Sequence, residues 1–236
     1  MKKHLFLLFI SFTLISSNQG TVNTTPNSTD VESKKIYKWT MVTTWAKNFP
    51  GLGMAAENLS QYVNEMSNGR LQIKVYGQGE LVPSFGVFDA VSQGNVELGH
   101  GASYYWTGKL KSSQFFTAVP FGLTAQEMNG WLHYGGGLEL WEEAYAPFNL
   151  IPLAGGNTGV QMAGWFKKEI NSLEDMRGLK MRIPGLAGEI FTRAGAEAVQ
   201  LPGNEIFLSF KTIFSFLLLF VLQVNCLLYT SPSPRD

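Results

Sequence analysis

Cysteine is nearly missing from this chain: Cys226 stands alone, so no disulfide can form within it. A charge excess of either sign is missing too. Lys and Arg total 18, as do Asp and Glu. Without a basic surplus to neutralise phosphates, a nucleic-acid partner is excluded as an expectation. Histidine is scarce, with only His4, His100 and His133, and none is spaced from another His or from Cys226 as metal ligands are. Neither a G-x-S-x-G elbow nor an H-E-x-x-H motif occurs. These absences leave no recognisable catalytic set. His100 falls on an apolar strand, where a core histidine is the commoner outcome than a base.

Aromatic residues are plentiful instead, at 13% of 236 residues. That suits a packed core and an aromatic-lined pocket in one large domain or two small ones. Lys2 and Lys3 precede an apolar run from Leu5 to Ile15, closed by Ser16 and Ser17, which reads as an export signal over 1–20. The run is short for a bilayer span, so cleavage is expected over a retained anchor. No Cys follows it, which argues against a lipoprotein anchor. Residues 21–35 are rich in Ser, Thr and Asn and read as a flexible leader. An exported chain without disulfides must rest on its hydrophobic core.

From Ile36 the pattern alternates strands and helices. Ile36 to Thr43 suits a buried strand. Leu52, Ala55, Ala56, Leu59, Tyr62, Val63 and Met66 recur at helical spacing, and Asn68-Gly69 ends that helix. Leu71, Ile73 and Val75 alternate as a strand. A short helix is expected around Phe85 to Ser92 and a strand over Val96 to Gly101. Thr124 and Glu127 match a capping box for a helix reaching Tyr145, with a break at Gly135-Gly136-Gly137. Further strands are expected over Leu150 to Ala154, Gly159 to Phe166 and Leu179 to Ile183. Short helices are expected from Ser172 and over Leu186 to Ala194. Such alternation predicts an α/β fold on a mostly parallel sheet.

The pattern stops near Ile206. Phe207 to Val224 is almost wholly Leu, Phe, Ile and Val, and reads either as a membrane span or as sequence past a lost coding frame. Lys211 interrupts the run and shortens its uncharged part, and residues 227–236 resemble a translated sequencing adapter. A non-native tail over 207–236 is therefore the expectation.

Gly51-Leu-Gly53-Met-Ala-Ala56 fits the dinucleotide fingerprint G-x-G-x-x-A, but its context does not. The fingerprint needs a tight turn directly off the strand and an acid ending the next strand. Here residues 45–50 intervene, and the second strand closes on Val75-Tyr76-Gly77. Three other places can carry chemistry. Arg182 closes an apolar strand, where open α/β sheets bind ligands, and a guanidinium there can grip a carboxylate through two parallel hydrogen bonds. It can equally be a surface arginine. Gln161, within an apolar segment, can offer its amide to a ligand or a hard cation, or be a satisfied buried amide. Ser103, Tyr104, Tyr105 and Trp106 follow a strand end as a pocket wall with hydroxyl donors, or as ordinary aromatic packing.

At these residues the chain resembles a known family. Ser172 to Gly185, reading SLEDMRGLKMRIPG, is similar to the most characteristic segment of TRAP (tripartite ATP-independent periplasmic) transporter solute-binding proteins. Phe49 to Met66, Gly77 to Pro83 and Phe88 to Glu97 are similar to it as well. His100 to Trp106, Pro120-Phe-Gly122 and Gly156 to Phe166 resemble the branch that binds 2-oxo and 2-hydroxy monocarboxylates. The likeness runs from about Ile36 to Ile206. It implies a periplasmic two-lobed α/β receptor closing around a hinge, with a first lobe over 36–158 and a partial second lobe over 159–206. It implies that Arg182 holds the substrate carboxylate, that Gln161 touches both substrate and metal, and that Tyr104 lines the first-lobe side with Ser103 and Tyr105 beside it. A sodium or calcium ion bridging the substrate is implied, with no organic cofactor. The implied partners are a small organic acid, the membrane permease subunits and a second copy in a homodimer. After Ile206 the family's further strands, long helix and cation-holding Trp-Glu pair are not recognisable, so part of the metal site is expected to be missing. Two other readings stay open: an enzyme for a small organic acid on the same scaffold, and a membrane-anchored protein using 207–224.

Overall fold

The computed structural model describes residues 35–159, 163, 164, 166, 168–203, 205, 206, 209 and the strand 224–230. The first part of the chain gives β1 (Tyr37–Thr43), α1 (Leu52–Met66), β2 (Leu71–Tyr76), α2 (Val87–Ser92), β3 (Leu98–Ala102), α3 (Ala125–Tyr134), α4 (Gly137–Tyr145) and β4 (Leu150–Asn157). The rest gives β5 (Lys180–Arg182), α5 (Gly185–Arg193), β6 (Glu197–Val199) and β7 (Val224–Thr230). Two sheets result. One has the order β2-β1-β3-β7-β4, and the other pairs β5 with β6. β1 runs parallel to β2 and β3, while β7 is antiparallel to both its neighbours, β3 and β4. β4 therefore points the same way as β1 to β3, and the sheet is mostly parallel with one opposed strand.

Local chemistry sets most of these boundaries. Asn68 and Gly69 both adopt positive φ directly after α1, a conformation the helix cannot continue through. The capping box is formed: the Thr124 hydroxyl accepts from the Glu127 amide, and the Glu127 carboxylate accepts from the Thr124 amide. The expected break at the three glycines separates α3 from α4. Gly136 is left-handed at φ 81°, and a Cβ on Gly137 would fall 2.7 Å from the Trp131 ring. That ring stacks 5.9 Å from Phe116, which stacks in turn 5.2 Å from Trp141. Only glycines let α4 start so close to the stack.

The core lies on both faces of the large sheet. Phe88, Trp106, Leu132, Trp141 and Tyr145 fill one face beneath α2, α3 and α4, whereas Met41, Ala56, Ile73 and Leu98 pack under α1 on the other. Two residues of the expected α1 stripe lie outside this contact: Tyr62 and Met66 are exposed. They sit at the rim of the stripe and in the last turn, so apolar spacing alone overstates the buried width.

Two expectations change in the structure. The strand expected over Leu150 to Ala154 runs on to Asn157, with a register shift between Ala154 and Gly156, and part of the strand expected from Gly159 falls outside the described residues. The helix expected from Ser172 is one 3₁₀ turn, Glu174–Met176, and the Asp175 carboxylate accepts from the Asn171 and Ser172 amides. Within the stretch expected to be a non-native tail, residues 224–230 form β7, which fills the slot between β3 and β4. Backbone pairing explains this. Both facing strands present rows of N–H and C=O groups, and any extended apolar segment can satisfy them whatever its side chains. Most of the apolar run 207–224 lies outside the described residues, and among those no helix is long and apolar enough to cross a membrane.

Candidate functional site

β3 is buried along its whole length and ends in a 3₁₀ turn, Ser103–Trp106, that folds over the carboxyl end of the sheet. Four large or hydroxyl-bearing side chains are buried there in a row. The Ser103 hydroxyl pairs with the Tyr145 hydroxyl inside the core. The Tyr104 amide donates to Thr117 Oγ1 at 3.1 Å, which fixes the turn. Tyr104 and Tyr105 stand at right angles, 4.8 Å apart, and Phe85 packs 5.0 Å from Tyr105. Burial holds the Tyr104 hydroxyl well above the ordinary tyrosine range, Tyr105 adds to this, and the Arg182 guanidinium opposes it.

The small sheet brings Arg182 to this turn. β5 ends on it, and it is only 3% exposed. Its Nε and Nη2 donate to the Leu201 carbonyl at 3.0 and 2.8 Å, and Nη2 donates again to the Tyr105 hydroxyl at 3.2 Å. A guanidinium has five N–H donors. Three are used here, and the guanidinium also interacts with the Tyr104 hydroxyl. Nor does any carboxylate there form an ion pair with Arg182. A buried cation without a counter-ion is costly, and an anion beside it would offset that cost. Three residues beyond Arg182, Gly185 starts α5 at φ 65°, with Tyr104 Cβ 2.9 Å from where its own Cβ would stand. Gln200 Nε2 reaches the Tyr105 carbonyl at 3.4 Å, so both sides of the site are tied together.

The structure thus brings Tyr104, Tyr105 and Arg182 to one place and turns Ser103 into the core beneath them. Gln161 lies outside the described residues. The Leu201 carbonyl and Gln200 carry the site without any sequence motif pointing to them, whereas Gly185 closes the SLEDMRGLKMRIPG segment. For Leu201 the useful group is main chain, and a carbonyl has no letter of its own. Two of the guanidinium's donors, Nε and Nη2, are held by a backbone oxygen.

Two other features lie nearby in the large-sheet region. A cavity of about 350 Å³ is lined by Phe49, Pro50, Leu52, Ala55, Gly156 and Asn157, among others. The first amides of α1 there are already satisfied by the Phe49 and Pro50 carbonyls, so they are not free for an anion. His100 is buried edge-on to Trp45 at 4.9 Å, and burial pulls its pKa down to about 4. It is a neutral core histidine under ordinary conditions. Among the described residues no three His, Cys, Asp or Glu side chains converge as a metal site would require.

Comparison with known proteins fixes the family. The model for bacterial extracellular solute-binding proteins, family 7 (DctP), matches residues 41–213, well over half the chain. The chain belongs to this family. Among family 7 relatives, the monocarboxylate 2-oxoacid-binding periplasmic protein of Nostoc sp. is 50% identical over 172 residues, 73% of this chain and 47% of that protein. The chain therefore spans about half that relative's length. A TRAP periplasmic solute-binding protein from Pseudoalteromonas atlantica, solved with bound sodium and pyruvate, is similar at 39% identity and a TM-score of 0.79. Its counterpart from Colwellia psychrerythraea, solved with calcium and pyruvate, is 38% identical at a TM-score of 0.79. In both, the match covers 83% of this chain and 67% of the other. The two-lobed α/β architecture of the family is thus the architecture of this chain.

Proposed function

We propose that this chain is the periplasmic receptor of a TRAP transporter and captures a small 2-oxo or 2-hydroxy monocarboxylate, such as pyruvate or lactate, for membrane permease subunits. The observation that carries this reading is the buried Arg182, which has no acidic partner among the described residues and lies against Tyr104. A carboxylate there matches the charge, and a neutral tyrosine hydroxyl donates to its second oxygen or to the adjacent oxo group. The relatives that bind pyruvate support the same chemistry. Capture and release, not turnover, is the role that this charge matching serves, since the described site pairs no nucleophile with a base. The amino-terminal signal-like segment supports export.

The sodium or calcium ion of the relatives needs oxygen ligands. Among the described residues no three Asp, Glu, His or Cys side chains converge, and Arg182 with the tyrosines carries the substrate's charge. Gln161 remains the proposed ligand of both substrate and cation. The lobe boundaries at 158/159 and 206, the non-native character of 207–236, and a homodimer belong to the same reading.

Titration calorimetry with pyruvate and lactate, at varied Na⁺ and Ca²⁺, tests it. Saturable 1:1 binding lost in Arg182→Ala is expected. Equal binding of acetate, which lacks the 2-oxygen, would overturn the substrate class.

A further inference from the structure

We infer that Tyr105 is a positioning residue, which presets the Arg182 guanidinium so that only its Nη1 edge meets the ligand. This rests on the receptor reading above and adds to it how the cation is oriented. The hydroxyl of Tyr105 takes one Nη2 hydrogen at 3.2 Å, and the Leu201 carbonyl takes the other at 2.8 Å together with the Nε hydrogen at 3.0 Å. A guanidinium forks onto a carboxylate either through Nε and Nη2 or through Nη1 and Nη2. Both forks need Nη2, and both of its hydrogens are engaged.

Tyr105 is not free to step aside for a ligand oxygen. Its ring is held by Tyr104 at 4.8 Å, Phe85 at 5.0 Å and Trp106 at 6.0 Å, and its carbonyl accepts from Gln200. The residue is 9% exposed. Swinging it out would break three aromatic contacts for one replaced hydrogen bond. The anion accordingly meets Nη1 on one side and Tyr104 on the other. That geometry favours a small, flat carboxylate with a neighbouring oxygen over a long chain needing a symmetric fork.

A double-mutant cycle on the full chain tests this, with pyruvate as the probe. Tyr105→Phe keeps the ring and removes the hydroxyl. Affinity for pyruvate should fall about tenfold in the Arg182 background and should not fall further in the Arg182→Lys background, where there is no fork to orient. A residue with only a structural role would weaken both backgrounds equally, and that outcome overturns the inference. In the ligand-free protein, side-chain proton exchange of Arg182 measured by NMR should speed up in Tyr105→Phe. Unchanged exchange would overturn it as well. If the unmutated chain binds no 2-oxo acid at all, the receptor reading itself fails and takes this inference with it. Binding that is indifferent to Tyr105→Phe sinks only the positioning role.

Discussion

A Cβ on Gly185 would stand 2.9 Å from the Cβ of Tyr104, and Gly185 already holds φ at 65°. Two independent constraints, a left-handed backbone and contact across the site, fall on one residue. α5 can begin against the tyrosine turn only because that residue has no side chain. Gly185→Ala should cost about 1–3 kcal/mol of stability and should also weaken pyruvate binding by shifting Tyr104. Urea unfolding and calorimetry read the two effects. An unchanged midpoint would mean that the contact relaxes freely.

Arg182→Ala leaves the Leu201 carbonyl and the Tyr105 hydroxyl without their donor and removes the buried cation. Binding of a 2-oxo acid should weaken by about two decades or more, at about 1.4 kcal/mol per decade. Arg182→Lys should do nearly as badly, because an ammonium cannot serve Leu201, Tyr105 and a ligand from the same positions. Near-native affinity in either variant would place the carboxylate elsewhere.

His100 gives the fold an acid limit. Its folded pKa of about 4 lies below the unfolded value of about 6.5, so the unfolded chain binds the proton first. Its contribution is constant above pH 6.5, and stability is then lost as pH falls from about 6.5 to about 4. At about 1.4 kcal/mol per unit the loss is about 3 kcal/mol. His100→Leu should flatten this part of the stability-versus-pH curve relative to the parent chain, while carboxylate titration remains in both. Parallel curves would show that His100 does not titrate with folding.

The Thr124 and Glu127 box caps α3 at an exposed end. Thr124→Ala should lower stability by about 1 kcal/mol without touching ligand affinity. A change in affinity would connect α3 to the site in a way its position does not suggest.

β7 pairs with both β3 and β4. Ending the chain at residue 206 would expose two facing strand edges and apolar surface along them. Aggregation and loss of the cooperative thermal transition are expected in light scattering and calorimetry. A soluble, cooperatively melting fragment would mean that the slot needs no strand.

Local order was legible because it is written in neighbouring residues. The span of α1, its stop at Asn68-Gly69, the Thr124 cap and the break at Gly136 each depend on spacing or on one residue's backbone freedom. Alternating strands and helices gave the mostly parallel sheet. The SLEDMRGLKMRIPG segment pointed to the family. Only the tertiary structure could join Arg182 to Tyr105, which lie 77 residues apart, or choose the Leu201 carbonyl as the guanidinium's main acceptor. It alone seated 224–230 between β3 and β4, a pairing that backbone groups make without regard to side chains. A residue's chemistry is carried by its own letter. Which of its hydrogens remain free for a ligand depends on neighbours that folding brings from elsewhere in the chain.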